Sequence, residues 1–105
     1  MYVYLSGPMT GLPDLNFPAF AQGEEILSQD GQTVLNPTKL GEPQGWEWAD
    51  FMRRDVVAML QCDGIALLPG WEKSRGALLE YQVALSLGYR IGYINLEANT
   101  VTWIN

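Results

Sequence analysis

Short apolar runs rich in β-forming residues alternate with helix-patterned stretches along this chain, and that alternation constrains the fold more than any other feature. "MYVYLS", "QTVLNP", "DGIALLP" and "RIGYINL" read as strands, with "TVTWI" as a short last one. Between the first four lie "FPAFAQGEEILSQDG", "WEWADFMRRDVVAMLQC" and "SRGALLEYQVALSLG", whose apolar residues recur at helical spacing. Pro18 suits a first helical turn and Gly31 a helix end. Ser74 is a good N-cap for the last helix, which Gly88 closes. Apolar strands separated by helices predict a parallel sheet covered on both faces. Right-handed crossovers then give an α/β protein, a small flavodoxin-like or Rossmann-like three-layer sandwich with a mainly parallel sheet of four or five strands. Such sheets bind ligands beyond the carboxyl ends of their strands, here "SGPMTG", "NPTKLG" and "PGWEKSRG".

The 105 residues suit a single domain over 1–105. Hydrophobic residues make up 48% and charged ones 17%, enough apolar material for a core and too little charge for disorder. No apolar run reaches the roughly 18 residues of a membrane span. The amino end lacks a basic stretch followed by a long apolar one, so a cytoplasmic protein without a membrane partner is expected. One cysteine, Cys62, and no histidine leave no disulfide framework and no metal-ligand spacing, so neither a metal nor a cofactor is expected. A net charge of −6 argues against nucleic acid as a partner. Yet Arg53, Arg54, Lys73 and Arg75 gather around one apolar run. They form either a site for a small anion or ordinary solvated surface.

Two carboxylates stand on apolar faces. Asp55 shares a helical stripe with Met52, Met59 and Cys62, so it pairs with Arg54, bonds a loop amide or faces a pocket. Glu80 is the one acid of a helix with no other charge from Ala77 to Tyr89. It shares a stripe with Ala77, Ala84 and Leu87 and leans back over Gly76 and Ala77, two small residues expected to leave open space. It pairs with Arg75, bonds a neighbouring loop or faces that space. A helix apolar all round is buried or lies in a subunit interface. Its start offers the Ser74 hydroxyl, the Arg75 guanidinium and the free amides around Gly76, which suits a phosphate. Two carboxyls beside an anion cradle are equipment for glycosyl chemistry. One attacks or stabilises the anomeric carbon and the other moves protons.

"VYLSGPMTG", "RRDVVAMLQCDGIALLPGW" and "SRGALLEYQVALSLGYRI" together cover most of the chain. In them the chain resembles the nucleoside 2-deoxyribosyltransferase-like superfamily, and more narrowly its short phage and bacterial members. The resemblance implies that Glu80, in a Gly-x-x-x-Glu segment starting at Gly76, is the nucleophile. It implies that Asp55 assists proton transfer and orients the sugar, and that Ser6, Gly7, Pro8 and Met9 line the sugar and base pocket. Six residues before the nucleophile, members acting on free nucleosides tend to carry an acid, and those hydrolysing 2′-deoxynucleoside 5′-monophosphates a serine. Here that residue is Ser74, which can donate to a phosphate that an acid would repel. Trp71 stacks on a base, closes the site, or simply packs its loop.

The expected activity is therefore an N-glycosidase acting on a small-molecule 2′-deoxyribonucleoside 5′-monophosphate. Transfer between free nucleosides, a non-catalytic nucleotide-binding module and an oligomeric scaffold are the alternatives. The resemblance also implies a homodimer or higher homo-oligomer, in which a partner copy completes the site of a chain shorter than most characterised members. Tyr93, Asn95 and the carboxyl-terminal segment are candidates for that contribution.

Overall fold

The computed structural model describes residues 1–104; the domain reading extends to Asn105, which lies outside the described residues. The elements follow the expected order: β1 (Tyr2–Ser6), α1 (Phe17–Gln29), β2 (Thr33–Leu35), α2 (Trp48–Met59), β3 (Gly64–Leu67), α3 (Arg75–Ser86), β4 (Arg90–Asn95) and β5 (Thr100–Trp103). The five strands form one sheet in the order β2-β1-β3-β4-β5. The first four are parallel, and β5 runs antiparallel to β4, which leaves it as an edge reached by a short turn.

Alternation along the strands assigns each side chain to a layer. Val3 and Leu5 of β1 pack with Phe20, Ile26 and Leu27 of α1 on one face. Tyr4 of β1 faces the other way, into a cluster with Met59, Ile65, Leu67, Ala84 and Ile91, beneath α2 and α3. The three-layer sandwich is thus observed. The crossover from β1 to β2 runs one way along the sheet and the later crossovers run the other, so right-handedness puts α1 and the α2–α3 pair on opposite faces.

That reversal leaves a crevice where β1 and β3 lie side by side, with Ser6 opposite Leu67. The loops leaving both strands open there. They approach closely: a Cβ on Gly7 would stand 2.7 Å from Cβ of Leu68, so only glycine fits.

The helix ends follow the sequence signals. Pro18 lies in the first turn of α1. Gly31 and Gly88 take positive φ, +87° and +74°, one residue beyond the cap of α1 and of α3. The stretch 46–62 forms a shorter helix than its pattern suggests. Glu47 caps α2 in a reciprocal box with Asp50, and the chain leaves the helix after Met59.

Candidate functional site

A cavity of about 1080 Å³ opens at the crevice between β1 and β3. Its walls come from the loop after β1, the starts of α2 and α3, and the loop after β3.

Glu80 forms the floor. It is 5% exposed, on the inner face of α3. Two hydroxyls from β1 reach it: Tyr4 Oη donates to Oε2 and Ser6 Oγ to Oε1, each at 2.7 Å. The spacing of two along a strand makes this pairing possible, since it sends residues 4 and 6 to the same face. Among the described residues no cation pairs with Glu80. Burial is the main influence on its carboxyl and pushes the pKa up from 4.5 to about 7. The two hydroxyls oppose that by stabilising the anion, and Asp55 adds to it by repulsion. The group therefore exchanges its proton near neutral pH, while both oxygens hold fixed directions.

Asp55 approaches from α2 and lines the same cavity. Arg54 Nε donates to its Oδ1 at 3.0 Å. Burial raises its pKa even so, with the Arg54 hydrogen bond and charge acting against the rise. Arg54 is heavily engaged: its Nη1 donates to the carbonyl of Gly41 at 2.7 Å, and its guanidinium lies 5.3 Å from the Trp46 ring centre. It ties the loop before α2 to the carboxylate.

The start of α3 is at the cavity rim. Ser74 Oγ accepts from the Ala77 amide at 3.2 Å, as an N-cap does. Its hydroxyl hydrogen stays available for a second partner. The Arg75 guanidinium lies 3.6 Å from the centre of the Trp48 ring and forms no ion pair with Glu80. Lys73 also lines the cavity. Of the four clustered cations only Arg53 stands apart, in an exposed pair with Asp50.

The structure brings nine of the ten predicted site residues to one cavity: Ser6, Gly7, Pro8, Met9, Asp55, Ser74, Arg75, Gly76 and Glu80. It does not bring Trp71 there. That indole packs on Tyr81, with ring centres 4.5 Å apart, and near Tyr93, within the core layer under α3. Trp71 is a packing residue of its loop. The reading of Gly76 also changes. Its missing side chain does not leave open space, because a Cβ there would lie 3.1 Å from Met52 Sδ and 3.8 Å from Trp48 Nε1. Gly76 lets α2 press against α3. The face of α3 opposite Glu80 is open in the single chain, with Leu78, Leu79 and Leu85 all exposed.

Sequence reasoning passed over Tyr4 and Trp48 as site residues, whereas the pairing of Asp55 with Arg54 was among its alternatives and is present. The signal for Tyr4 was available: a tyrosine inside an apolar strand needs a partner for its hydroxyl, and it shares parity with Ser6. Trp48 gave no such signal, since its role depends on where the starts of α2 and α3 meet.

A family described as a domain of unknown function, DUF4406, matches residues 1–93. The chain belongs to that family. A search of functionally curated proteins found no match. Among solved structures, the DUF4406 chain is similar to the 2-deoxyribosyltransferase of the psychrotolerant bacterium Bacillus psychrosaccharolyticus. The TM-score is 0.70 at 17% identity, over 90% of this chain and 72% of that one. It is also similar to a 2-deoxyribosyltransferase from Leishmania mexicana, at TM-score 0.64 and 18% identity, over 89% of this chain and 63% of that one. The DUF4406 chain thus has a nucleoside 2-deoxyribosyltransferase-like fold and spans less than two thirds of the second protein. Among the described residues no helix is long and apolar enough to cross a membrane, and no three Cys, Asp or Glu side chains form a group able to hold a metal ion.

Proposed function

We propose that the chain is an N-glycosidase that cleaves the base–sugar bond of a 2′-deoxyribonucleoside 5′-monophosphate. The observation that carries this reading is Glu80: a buried carboxyl without a cation, held by two hydroxyls, on the floor of a large cavity that also holds Asp55. A structural acid has little reason to be placed so, since burial without a cation costs stability.

In this mechanism an ionised Glu80 oxygen attacks C1′ of the sugar. The C1′–N bond breaks and its electron pair leaves with the base. Asp55 lies on the same cavity, and the proton that the departing base needs passes through its carboxyl. Water then attacks C1′ of the ester while Asp55 takes back a proton. Glu80 is released, and deoxyribose 5-phosphate and free base are the products. Tyr4 and Ser6 hold the attacking oxygens in line. Ser74, Arg75 and Lys73 supply donors and positive charge for the 5′-phosphate at the rim.

A chromatographic assay of base release tests the substrate. Deoxynucleoside monophosphates and their parent nucleosides are incubated separately with the protein. Base from monophosphates in clear preference to nucleosides is expected, and equal release from both would reject the phosphate preference. Transfer is the second reading, favoured by the names of the two similar structures. A second free base added to the assay would then become glycosylated. Tight binding of a monophosphate with no base released would instead indicate a binding module. We also propose that the chain self-associates through the outward face of α3, where Leu78, Leu79 and Leu85 lie exposed.

A further inference from the structure

The start of α2 and the start of α3 meet at the cavity rim, and they differ in how they are satisfied. The amides at the start of α2 face two of its own carboxylates, Glu47 and Asp50, in a capping box. The start of α3 carries no acid. The cations differ in the same way. Arg53 has Asp50 and Arg54 has Asp55, but Arg75 has no carboxylate partner among the described residues. It lies over the Trp48 ring instead, with Cζ 3.6 Å from the ring centre.

That stack has two effects. A guanidinium partnered by a ring rather than a carboxylate has its charge uncompensated, and its N–H groups can grip a phosphate in pairs. The ring also limits where the cation can go, and so fixes its place on the cavity wall.

We infer that Trp48 is a positioning residue that holds Arg75 for the 5′-phosphate and thereby sets the preference for a nucleoside monophosphate over a free nucleoside. The inference rests on the proposed function for its substrate, and on the Trp48–Arg75 contact for its mechanism.

The test is a double-mutant cycle on Trp48→Leu, Arg75→Ala and the double variant, with Trp48→Phe as the conservative control. The readout is the ratio of kcat/KM for a deoxynucleoside monophosphate to that for its parent nucleoside. Trp48→Leu should lower this ratio about tenfold, mainly through KM, because a cation–π contact of this kind orders one side chain and leaves the reacting carbon alone. Arg75→Ala should lower it as much or more. The double variant should be no worse than Arg75→Ala, and Trp48→Phe, which keeps a ring, should recover most of the ratio. Additive losses, or a Trp48→Leu loss equal on both substrates, would overturn the inference. Titration of deoxyribose 5-phosphate by calorimetry repeats the cycle without turnover. Weakened binding in Trp48→Leu that does not add to that in Arg75→Ala supports the stack even where no base is released, an outcome that would reject only the glycosidase reading. Binding unchanged by Trp48→Leu overturns the inference even where base release is found.

Discussion

A carboxyl at the floor of an apolar layer must exchange its proton near working pH to serve as a nucleophile, and Glu80 does so because burial outweighs the hydrogen bonds that oppose it. Burial raises its pKa and the Tyr4 and Ser6 hydroxyls lower it, with about 7 as the outcome. Removing either donor should destabilise the anion. In Tyr4→Phe the rising limb of the kcat/KM profile should move about one pH unit higher, since a hydrogen bond to a charged group contributes roughly 1.5–3 kcal/mol. The substrate phosphate titrates near pH 6 against both proteins, so the difference between the two profiles belongs to the enzyme. An unmoved limb would separate Tyr4 from the charge on Glu80.

The same residue has a stability signature. The folded chain keeps the Glu80 proton between pH 4.5 and about 7, where an unfolded chain has lost it. The folded state binds more protons there, so stability falls as pH rises through that window and levels off above it. The total loss is roughly 3 kcal/mol. Glu80→Gln removes the titrating group, so its melting temperature should gain on the wild type between pH 5 and pH 8, as read by thermal unfolding in matched buffers. A constant gap would mean that Glu80 is not desolvated.

At the scale of elements, the start of α3 separates a cap from a ligand contact. Ser74 does one job within the chain, accepting from Ala77, and in our reading a second toward the substrate. Ser74→Asp keeps an N-cap and adds charge that suits a helix start. It should melt within about 1 kcal/mol of wild type but bind monophosphates at least tenfold more weakly, with free nucleosides gaining by comparison. Ser74→Ala should lose about 1 kcal/mol of stability. These helix boundaries were legible in the sequence because Ser74, Gly31 and Gly88 mark them by local chemistry. The alternation of Tyr4 and Ser6 was legible in principle, but their shared partner on α3, 74 or more positions away, is a product of strand register. Gly76 was misread for a related reason: periodicity says which face a glycine lies on, not that Met52 of another helix fills it. Trp71 sits in a loop, where no period fixes direction, and the Tyr81 and Tyr93 rings decide its place.

At the scale of the whole molecule, the reversal of crossover direction at β1 makes the crevice, and the loop after β1 together with α2 and α3 lines it with the candidate site residues. That much followed from the alternation of elements, because handedness leaves few ways to wind such a chain. The quaternary arrangement did not, although the apolar outer face of α3 points to one. Leu78, Leu79 and Leu85 are between 36% and 54% exposed on a helix whose inner face carries Glu80. Sedimentation should show a dimer or larger assembly, and Leu85→Glu should shift it toward the monomer with helix content unchanged. A wild-type monomer at all concentrations would remove the interface.

Glu80 is the residue on which the proposed chemistry turns, and base release by wild type and by Glu80→Gln at pH 8 is the measurement to make first. At that pH the variant is at its best relative to the wild type, and its melting temperature, read in the same buffer, separates lost activity from unfolding. The account predicts base from a deoxynucleoside monophosphate with the wild type, and release slower by a factor of 1000 or more with Glu80→Gln, on the order of 4 kcal/mol of barrier. Undiminished release by the variant would contradict it.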